Sequence, residues 1–163
     1  MTLQITADEY LRFRDMLEQS SGIMLGDGKE YLVSSRLRRL LEQHNLSSIS
    51  DLLSTLNGNR RLQELVIDAM TTNETLWFRD EHPYRVFRER LLPELAGFRR
   101  PLKIWSAACS TGQEPYSLSI EIEEFRKRSP GSLAIGERVL ATDISPSSLA
   151  QAKDGIYQQL AIR

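Results

Sequence analysis

The sequence predicts an α/β protein with an all-α N-terminal domain, in which a helical bundle precedes the first half of a Rossmann-like sheet. Residues 1–72 carry apolar side chains at helical spacing in four successive segments. Residues 102–123 begin as a short apolar run, continue as a turn of small residues and then change to a helical pattern. A second apolar run over residues 138–142 ends in Asp143. Strand, turn, helix and second strand is the order that begins a parallel α/β domain.

Cap and stop residues delimit the first two helices. Thr6 and Glu9 have the spacing of a capping box and Gly22 is a stop signal, so a helix is expected over residues 6–20. A second helix is expected over residues 29–44. One face of this helix carries the apolar residues Val33, Leu37 and Leu40, and His44 is expected on the same face.

Two shorter helices complete the predicted bundle. Ser50 is expected to cap the third, which the Asn-Gly pair at residues 57–58 ends. The fourth has apolar residues at helical spacing: Leu62, Leu65, Val66, Ala69 and Met70. Four amphipathic helices of this length predict a bundle.

The stretch TTNETLWFRD, residues 71–80, fits neither neighbouring pattern. Its threonines and asparagine favour caps and turns over helix interiors. Pro83 then predicts the start of a helix over residues 83–90, with His82 or Asp80 as its cap, and residues 91–95 either continue or bend it. The predicted organisation is a domain at 1–72, a linker at 73–95 and an α/β domain at 96–163.

The α/β pattern begins with an apolar run that predicts a buried strand over residues 102–108. After a turn of small residues, a helix is expected from Glu114, and a later one between the cap Ser145 and the stop Gly155. Two parallel strands do not form an independently stable covered sheet. We therefore expect either a piece of a longer protein or a strand edge that another chain completes, as in a strand- or domain-swapped dimer.

Composition narrows the class of protein. The 163 residues carry a net charge of −1, which does not favour binding of nucleic acid through bulk charge. A single cysteine and two separated histidines favour neither a disulfide nor a zinc site. The N-terminus lacks the pattern of a secretory signal, and no apolar run is long enough for a membrane span. These features predict a cytoplasmic protein with no membrane insertion.

Three motifs in order resemble one family. They are TTNETLWFRD at residues 71–80, WSAACSTGQEPYSL at 105–118, and ATDIS at 141–145 followed by LAQAKDGIY at 149–157. They resemble the CheR family of chemoreceptor glutamate methyltransferases. The resemblance implies S-adenosylmethionine (SAM) as methyl donor, S-adenosylhomocysteine as product and the cytoplasmic helices of chemoreceptors as partners. It also implies that the family's SAM domain continues beyond these residues, so the 163-residue chain is expected to be inactive.

The resemblance implies particular site residues. Asn73, Thr75 and Arg79 would contact the cofactor and border the reaction centre, Glu114 would lie in the SAM pocket, and Asp143 would hold the ribose hydroxyls. A glutamate substrate is already ionised near neutral pH, so the site needs alignment more than a base. Arg79 is the candidate for orienting that carboxylate, because a guanidinium can grip it with two hydrogen bonds.

Each of these residues also has a plain structural interpretation. Arg79 could pair with the acids that follow it on the surface. Asp143 could cap the helix after it, and Glu114 could be an ordinary acid in a first helical turn. Asn73 and Thr75 could serve only as caps or turn residues. The residue pattern leaves these alternatives open, and the family resemblance favours the functional ones.

The second helix carries a basic group that the resemblance places against the receptor: Arg36, Arg38 and Arg39. Such a group would attract an acidic helical partner, although arginines on a helix more often form a solvated face.

Two further functions compete with that of a methyltransferase. A nicotinamide-dependent oxidoreductase would use the same strand, turn and acid, but the turn ACSTGQE has one glycine where a dinucleotide fingerprint has three. A non-catalytic module that only docks to receptors is the other.

Overall fold

The computed structural model describes residues 4–158. The chain divides into two compact units, Met1–Thr72 and Asn73–Arg163. Residues 1–3 of the predicted first domain and residues 159–163 of the predicted third segment lie outside the described residues. Within residues 4–158, no helix has both the length and the apolar character needed to cross a membrane.

Between residues 4 and 72, the first unit contains four helices: α1 (Ala7–Ser21), α2 (Glu30–Gln43), α3 (Ile49–Leu56) and α4 (Arg60–Met70). Helix α1 packs against α3, and α2 packs against α4. Their apolar stripes form one core, in which the side chains of Phe13, Leu17, Val33, Leu37 and Leu52 are fully buried. Burial of each such side chain contributes about 1.5–3 kcal/mol, so these stripes are the main stabilising feature of the unit. The predicted helical bundle is confirmed.

The N-terminus of α1 has the predicted capping box. The Thr6 hydroxyl accepts a hydrogen bond from the Glu9 backbone N–H, and the Glu9 carboxylate accepts one from the Thr6 backbone N–H. The other Glu9 oxygen accepts a hydrogen bond of 3.0 Å from the backbone N–H of Ser50, which ties α1 to α3. The hydrogen bond from the Thr6 N–H lowers the pKa of Glu9. Burial raises this pKa, and the hydrogen bond from the Ser50 N–H lowers it again, so that the pKa lies below its ordinary value.

Two predictions within the first unit are wrong in detail. Ser48 rather than Ser50 caps α3, because its hydroxyl accepts the backbone N–H of Asp51 while Ser50 lies within the helix. His44 does not belong to the buried face of α2. The helix ends at Gln43, so His44 leaves the helical geometry and its side chain is exposed.

The second unit begins, after residues 73–81, with a helix in three parts: α5 (His82–Val86), a π-helical turn (Phe87–Leu91) and α6 (Leu92–Ala96). The prediction that His82 or Asp80 caps this helix is wrong. Glu81 precedes α5 without a side-chain cap, and His82 is already helical. The residue before a helix normally has an extended backbone, whereas Asp80 and Glu81 have φ angles of 64° and 41°.

In the described part of the second unit, the sheet has two parallel strands, β1 (Lys103–Ala107) and β2 (Arg138–Thr142), connected by α7 (Gln113–Arg128). Helix α8 (Pro146–Asp154) follows β2, with the predicted cap at Ser145 and stop at Gly155. Ala107 pairs with Thr142, so both strands end at the same edge of the sheet.

The prediction of a buried first strand is wrong for one of its faces. Residues alternate along a strand, and Ser106 faces inward while Trp105 is 68% exposed. Leu140, which pairs with Trp105 in β2, is 61% exposed. Among the described elements, α7 packs on β2, and it covers one face of the sheet only.

Candidate functional site

The carboxyl ends of β1 and β2 are joined by hydrogen bonds through the turn at residues 108–112. The backbone N–H of Cys109 donates to the Thr142 carbonyl at 2.9 Å, which extends the strand pairing by one residue. The next backbone N–H, that of Ser110, donates to Asp143 Oδ2 at 2.7 Å. The acid at the end of β2 is therefore fixed against the turn that follows β1, as expected at the carboxyl edge of a parallel sheet.

Asp143 does not cap the helix that follows it. The Ser145 hydroxyl accepts the backbone N–H of Ser148 and so occupies the N-cap position of α8. Asp143 Oδ1 instead accepts the backbone N–H of Ser145 at 2.9 Å. Each carboxylate oxygen thus holds one backbone N–H, and each has remaining lone pairs that could accept hydroxyl groups.

Asn73 reaches the same turn from the segment that precedes α5. Its carbonyl accepts the Ser110 hydroxyl at 2.9 Å, and its side-chain Nδ2 donates to the Ser145 hydroxyl at 3.4 Å. Ser110 consequently contacts both Asn73 and Asp143, through two different groups. The structure therefore brings the candidate residues Asn73 and Asp143 together. Thr75 lies half-buried, two positions after Asn73 in the same segment.

Glu114 lies in the first turn of α7 and is exposed. Its Oε1 accepts the Ser106 hydroxyl at 2.8 Å, so the carboxylate is held over the end of β1. Burial raises the pKa of the Cys109 thiol, and the negative charges of Asp143 and Glu114 raise it further. This buried thiol stays protonated near neutral pH and is not suited to be a nucleophile.

The Arg79 side chain lies at the surface and is 58% exposed. Its Nη1 donates to the Glu74 carbonyl at 3.2 Å, and its Nε lies 3.9 Å from a carboxylate oxygen of Asp80. An exposed pair at this distance contributes little stability, about 0–1 kcal/mol. Arg79 is therefore held at the surface by weak contacts only.

Three aromatic side chains pack beside the turn. The Tyr157 ring meets Trp77 edge to face, with centroids 5.0 Å apart, and meets Tyr116 in the same way at 5.8 Å. The Tyr157 hydroxyl donates to the Thr111 carbonyl at 2.7 Å. A Cβ on Gly112 would lie 2.7 Å from that hydroxyl oxygen, so the turn and the aromatic group fit together only because residue 112 is glycine.

The basic group of α2 separates into two kinds of arginine. Arg36 is half-buried, and its guanidinium donates to the Met70 carbonyl and to the Thr72 hydroxyl at the C-terminus of α4. A cation at this end of a helix is stabilised by the helix dipole. Arg38 and Arg39 are exposed. Only these two are presented to solvent as the prediction of a receptor-facing group requires.

The sequence patterns do not identify three residues of this site: Ser110, Ser145 and Tyr157. A serine that bonds through both its N–H and its hydroxyl cannot be recognised without the partners, which lie 33 and 37 residues away. Tyr157 follows the stop at Gly155, where the periodic pattern ends. Only its position at the end of the motif LAQAKDGIY could have identified Tyr157 from the sequence.

Within residues 4–158, no group of three or more His, Cys, Asp or Glu side chains is arranged to hold a metal ion.

The turn suits a nucleoside ligand more than a dinucleotide. It offers one glycine at a place where a Cβ would not fit, a carboxylate at the end of the second strand and a second carboxylate at the start of the following helix. A carboxylate at that strand end is placed to accept ribose hydroxyls.

Comparison with known proteins agrees with this geometry. Residues 8–71 match the CheR methyltransferase all-alpha domain, and residues 73–163 match the CheR methyltransferase SAM binding domain. Chemotaxis protein methyltransferase 1 of Pseudomonas aeruginosa is 53% identical over 153 residues, which cover 92% of this chain and 56% of that protein. A chemotaxis protein methyltransferase of Vibrio anguillarum is 51% identical over 162 residues, or 98% of this chain and 58% of that protein.

A more distant relative, the chemotaxis protein methyltransferase of Salmonella typhimurium, is 34% identical over 158 residues, which cover 96% of this chain and 52% of that protein. The chain thus spans a little over half the length of the curated relatives that it matches. Both domain matches come from one family and together extend over nearly all of the sequence. The chain belongs to the CheR methyltransferase family, and its second unit corresponds to that family's SAM binding domain.

Proposed function

We propose that the whole protein that carries this chain is a SAM-dependent protein-glutamate O-methyltransferase that methylates chemoreceptors. The observation that supports it most is the network in which Ser110 bonds to both Asn73 and Asp143. This network holds the segment before α5, the turn after β1 and the acid after β2 at the edge of the sheet where nucleosides bind. The names of the relatives, which are chemotaxis protein methyltransferases, support the reaction class.

The chemistry makes few demands on the protein. Bound SAM supplies a methyl group carried on a positively charged sulfur. That methyl group would pass to a glutamate carboxylate oxygen, and the electrons of the broken carbon–sulfur bond would remain on sulfur. The products are a glutamyl methyl ester and S-adenosylhomocysteine, and no proton is transferred. Alignment and exclusion of water are therefore the main contributions expected of the site.

The proposed roles are those that the family resemblance implies, and the positions of the side chains support them. Asp143 accepts the ribose hydroxyls with the lone pairs that its two backbone contacts leave over. Asn73 and Thr75 line the cofactor beside the turn, and Glu114 carries a carboxylate toward it from the start of α7. Arg79 orients the substrate carboxylate, since its present contacts are weak and exposed.

We further propose that the receptor's cytoplasmic helices are the methyl acceptors and that the protein acts in the cytoplasm. Of the three arginines in the basic group, Arg38 and Arg39 are the better placed to attract an acidic helix, because both are exposed. Arg36 belongs to the same basic group, but its contacts with Met70 and Thr72 favour a structural role. The unpaired strand edge and exposed sheet face leave room for association of the 163-residue chain as a strand- or domain-swapped dimer.

Transfer of a labelled methyl group from SAM to receptor tests the function. We expect the whole protein to form base-labile methyl esters, and we expect Arg79→Ala to lower kcat by more than tenfold without changing the melting temperature. Arg99→Ala, an exposed arginine elsewhere in the second unit, is the matched control. Normal turnover by Arg79→Ala would remove Arg79 from the site, and absence of ester formation by the wild-type protein would favour a docking module.

Calorimetry with SAM, S-adenosylhomocysteine and NAD distinguishes the proposed methyltransferase from the remaining alternative, a nicotinamide-dependent oxidoreductase. The single glycine of the turn predicts binding of the first two and not of NAD. Binding of NAD alone would replace the proposal by an oxidoreductase. For the 163-residue chain itself we expect weak SAM binding and little or no turnover, and robust turnover by that chain would contradict this expectation.

A further inference from the structure

The turn at residues 108–112 has a backbone that needs outside support. Ala108, Ser110 and Gly112 have φ angles of 59°, 50° and 99°, all in the left-handed region. Each of the two non-glycine residues in that region is less stable than in its ordinary conformation, because its Cβ crowds the backbone. Such a conformation persists only where neighbouring groups hold it. The contacts that hold this turn therefore decide whether it is preformed before a cofactor arrives.

The sheet side of the turn is held by the backbone N–H groups of Cys109 and Ser110, which donate to Thr142 and Asp143. The Thr111 peptide is held differently. The Tyr157 hydroxyl donates to the Thr111 carbonyl at 2.7 Å, from a position 46 residues further along the chain. Thr111 lies between Ser110 and Gly112, which both have left-handed backbones.

The Tyr157 ring is itself held in place. Trp77 and Tyr116 pack against it edge to face, with interplanar angles of 78° and 79°. Tyr116 belongs to α7, and its own hydroxyl donates to the Ala152 carbonyl of α8 at 3.0 Å. Burial raises the pKa of Tyr157, so its hydroxyl stays protonated and remains a donor at neutral pH.

The close approach of Tyr157 is one of the reasons why residue 112 is glycine. The Tyr157 hydroxyl oxygen lies 2.7 Å from the place where a Cβ of residue 112 would be, and the Ala152 Cβ lies 2.9 Å from that place. A side chain at position 112 would therefore clash with both residues, and the φ of 99° already favours glycine there.

We propose that Tyr157 is a positioning residue. Its hydroxyl fixes the Thr111 peptide, so that the turn at residues 108–112 has its final conformation before a cofactor binds. It acts through the turn and is not assigned a contact with the reacting atoms. The expected consequence for SAM binding rests on the function proposed above, whereas the expected consequence for the turn itself does not.

The test compares Tyr157→Phe with Tyr116→Phe in the whole protein. Each variant removes one hydroxyl and keeps its ring, but only the first removes a hydrogen bond to the turn. Hydrogen exchange without cofactor is the first measurement. We expect faster exchange at the backbone N–H groups of residues 110–112 in Tyr157→Phe and no change there in Tyr116→Phe.

The second measurement is binding of S-adenosylhomocysteine together with steady-state kinetics. We expect Tyr157→Phe to weaken binding and raise the KM for SAM about five- to tenfold, the effect of about one hydrogen bond, with kcat at saturation little changed. Equal effects of the two variants, or unchanged exchange at residues 110–112 in Tyr157→Phe, would overturn the proposal. If the wild-type protein bound no S-adenosylhomocysteine, the proposed function would fail while the exchange result would still judge the role of Tyr157.

Discussion

Asp143 accepts a hydrogen bond of 2.7 Å from the backbone N–H of Ser110. The same carboxylate holds the N–H of Ser145 with its other oxygen, so it fixes the turn after β1 and the start of α8 together. Asp143→Asn keeps one accepting oxygen and replaces the other by an NH2 group that cannot accept. We expect it to lower the free energy of unfolding of the second unit by about 1–3 kcal/mol, as for a lost hydrogen bond to a charged group.

Thermal unfolding and calorimetry with S-adenosylhomocysteine on the whole protein measure the two effects of Asp143→Asn. We expect cofactor binding to weaken by more than tenfold, because the ribose loses an acceptor. Asp154→Asn is the control, since Asp154 is an exposed acid at the end of α8. Unchanged binding by Asp143→Asn would show that the carboxylate serves the fold alone.

The arginines of α2 should respond differently to substitution. Arg36 bonds to Met70, Thr71 and Thr72 at the end of α4, so Arg36→Ala should destabilise the first unit by about 1–3 kcal/mol. Substitution of the exposed Arg38 and Arg39 should leave the melting temperature unchanged and slow receptor methylation at low salt. High salt should remove that difference because it screens the attraction.

Receptor methylation measured over a range of ionic strength, beside thermal unfolding, separates the three arginines. A salt-dependent loss of activity in Arg36→Ala with an unchanged melting temperature would contradict the structural role. Kinetics of the Arg38 and Arg39 variants that match wild type at every salt concentration would assign those residues to a solvated face.

Arg88 and Glu121 form an ion pair between the π-helical turn and α7. Their atoms Nη1 and Oε1 lie 2.8 Å apart, and the Glu121 side chain is only 6% exposed. Arg88→Met would leave a buried carboxylate unpaired, at a cost of about 3 kcal/mol. The double variant Arg88→Met with Glu121→Gln should be more stable than Arg88→Met alone, and denaturant unfolding of the four proteins in this cycle measures the coupling. Equal stability of the single and double variants would contradict this account.

Glu9 should make the first unit sensitive to acid. Hydrogen bonds from the backbone N–H groups of Thr6 and Ser50 lower its pKa below the ordinary value of 4.5. The unfolded chain therefore binds the proton first, so the stabilisation is complete above about pH 4.5 and is lost as the pH falls through the lowered folded pKa. Glu9→Gln removes the titrating group, so we expect a flatter dependence of unfolding free energy on pH in that range.

Unfolding followed from neutral pH downward tests this dependence, with Glu18→Gln as the control on an exposed glutamate of the same helix. The Glu18 variant should keep the wild-type slope. A Glu9→Gln variant with the wild-type slope would assign the acid sensitivity to other groups.

Local signals in the sequence predict much of this fold. The capping box at Thr6, the left-handed stop at Gly22 and the cap at Ser145 depend on residues within a few positions, so each can be recognised from the sequence. Ser48 and Ser50 are both good caps, and only the helix start shows that Ser48 is used. Local patterns do not distinguish such neighbours.

Residues of the candidate site that lie at the ends of strands could be predicted from the sequence. Those whose positions depend on contacts with distant parts of the chain could not. Asp143 was expected at the carboxyl end of the second strand, where it lies. The bond between Arg36 and Met70 spans 34 residues, and that between Tyr157 and Thr111 spans 46. Contacts of this kind arise from packing between elements, which a pattern read along one segment does not contain.

The π-helical turn Phe87–Leu91 gives its helix an unusual tolerance of a change in chain length. The turn holds one residue more than an α-helical turn, and the backbone N–H of Leu92 donates to the carbonyl of Phe87, five positions earlier. Removing exposed Glu89 would place these two residues four positions apart, which is the spacing of an ordinary α-helical hydrogen bond. Buried Phe87 and Leu92 could then both keep facing the core. Position 89 should therefore accept almost any side chain, and its deletion should leave the helix on either side in register.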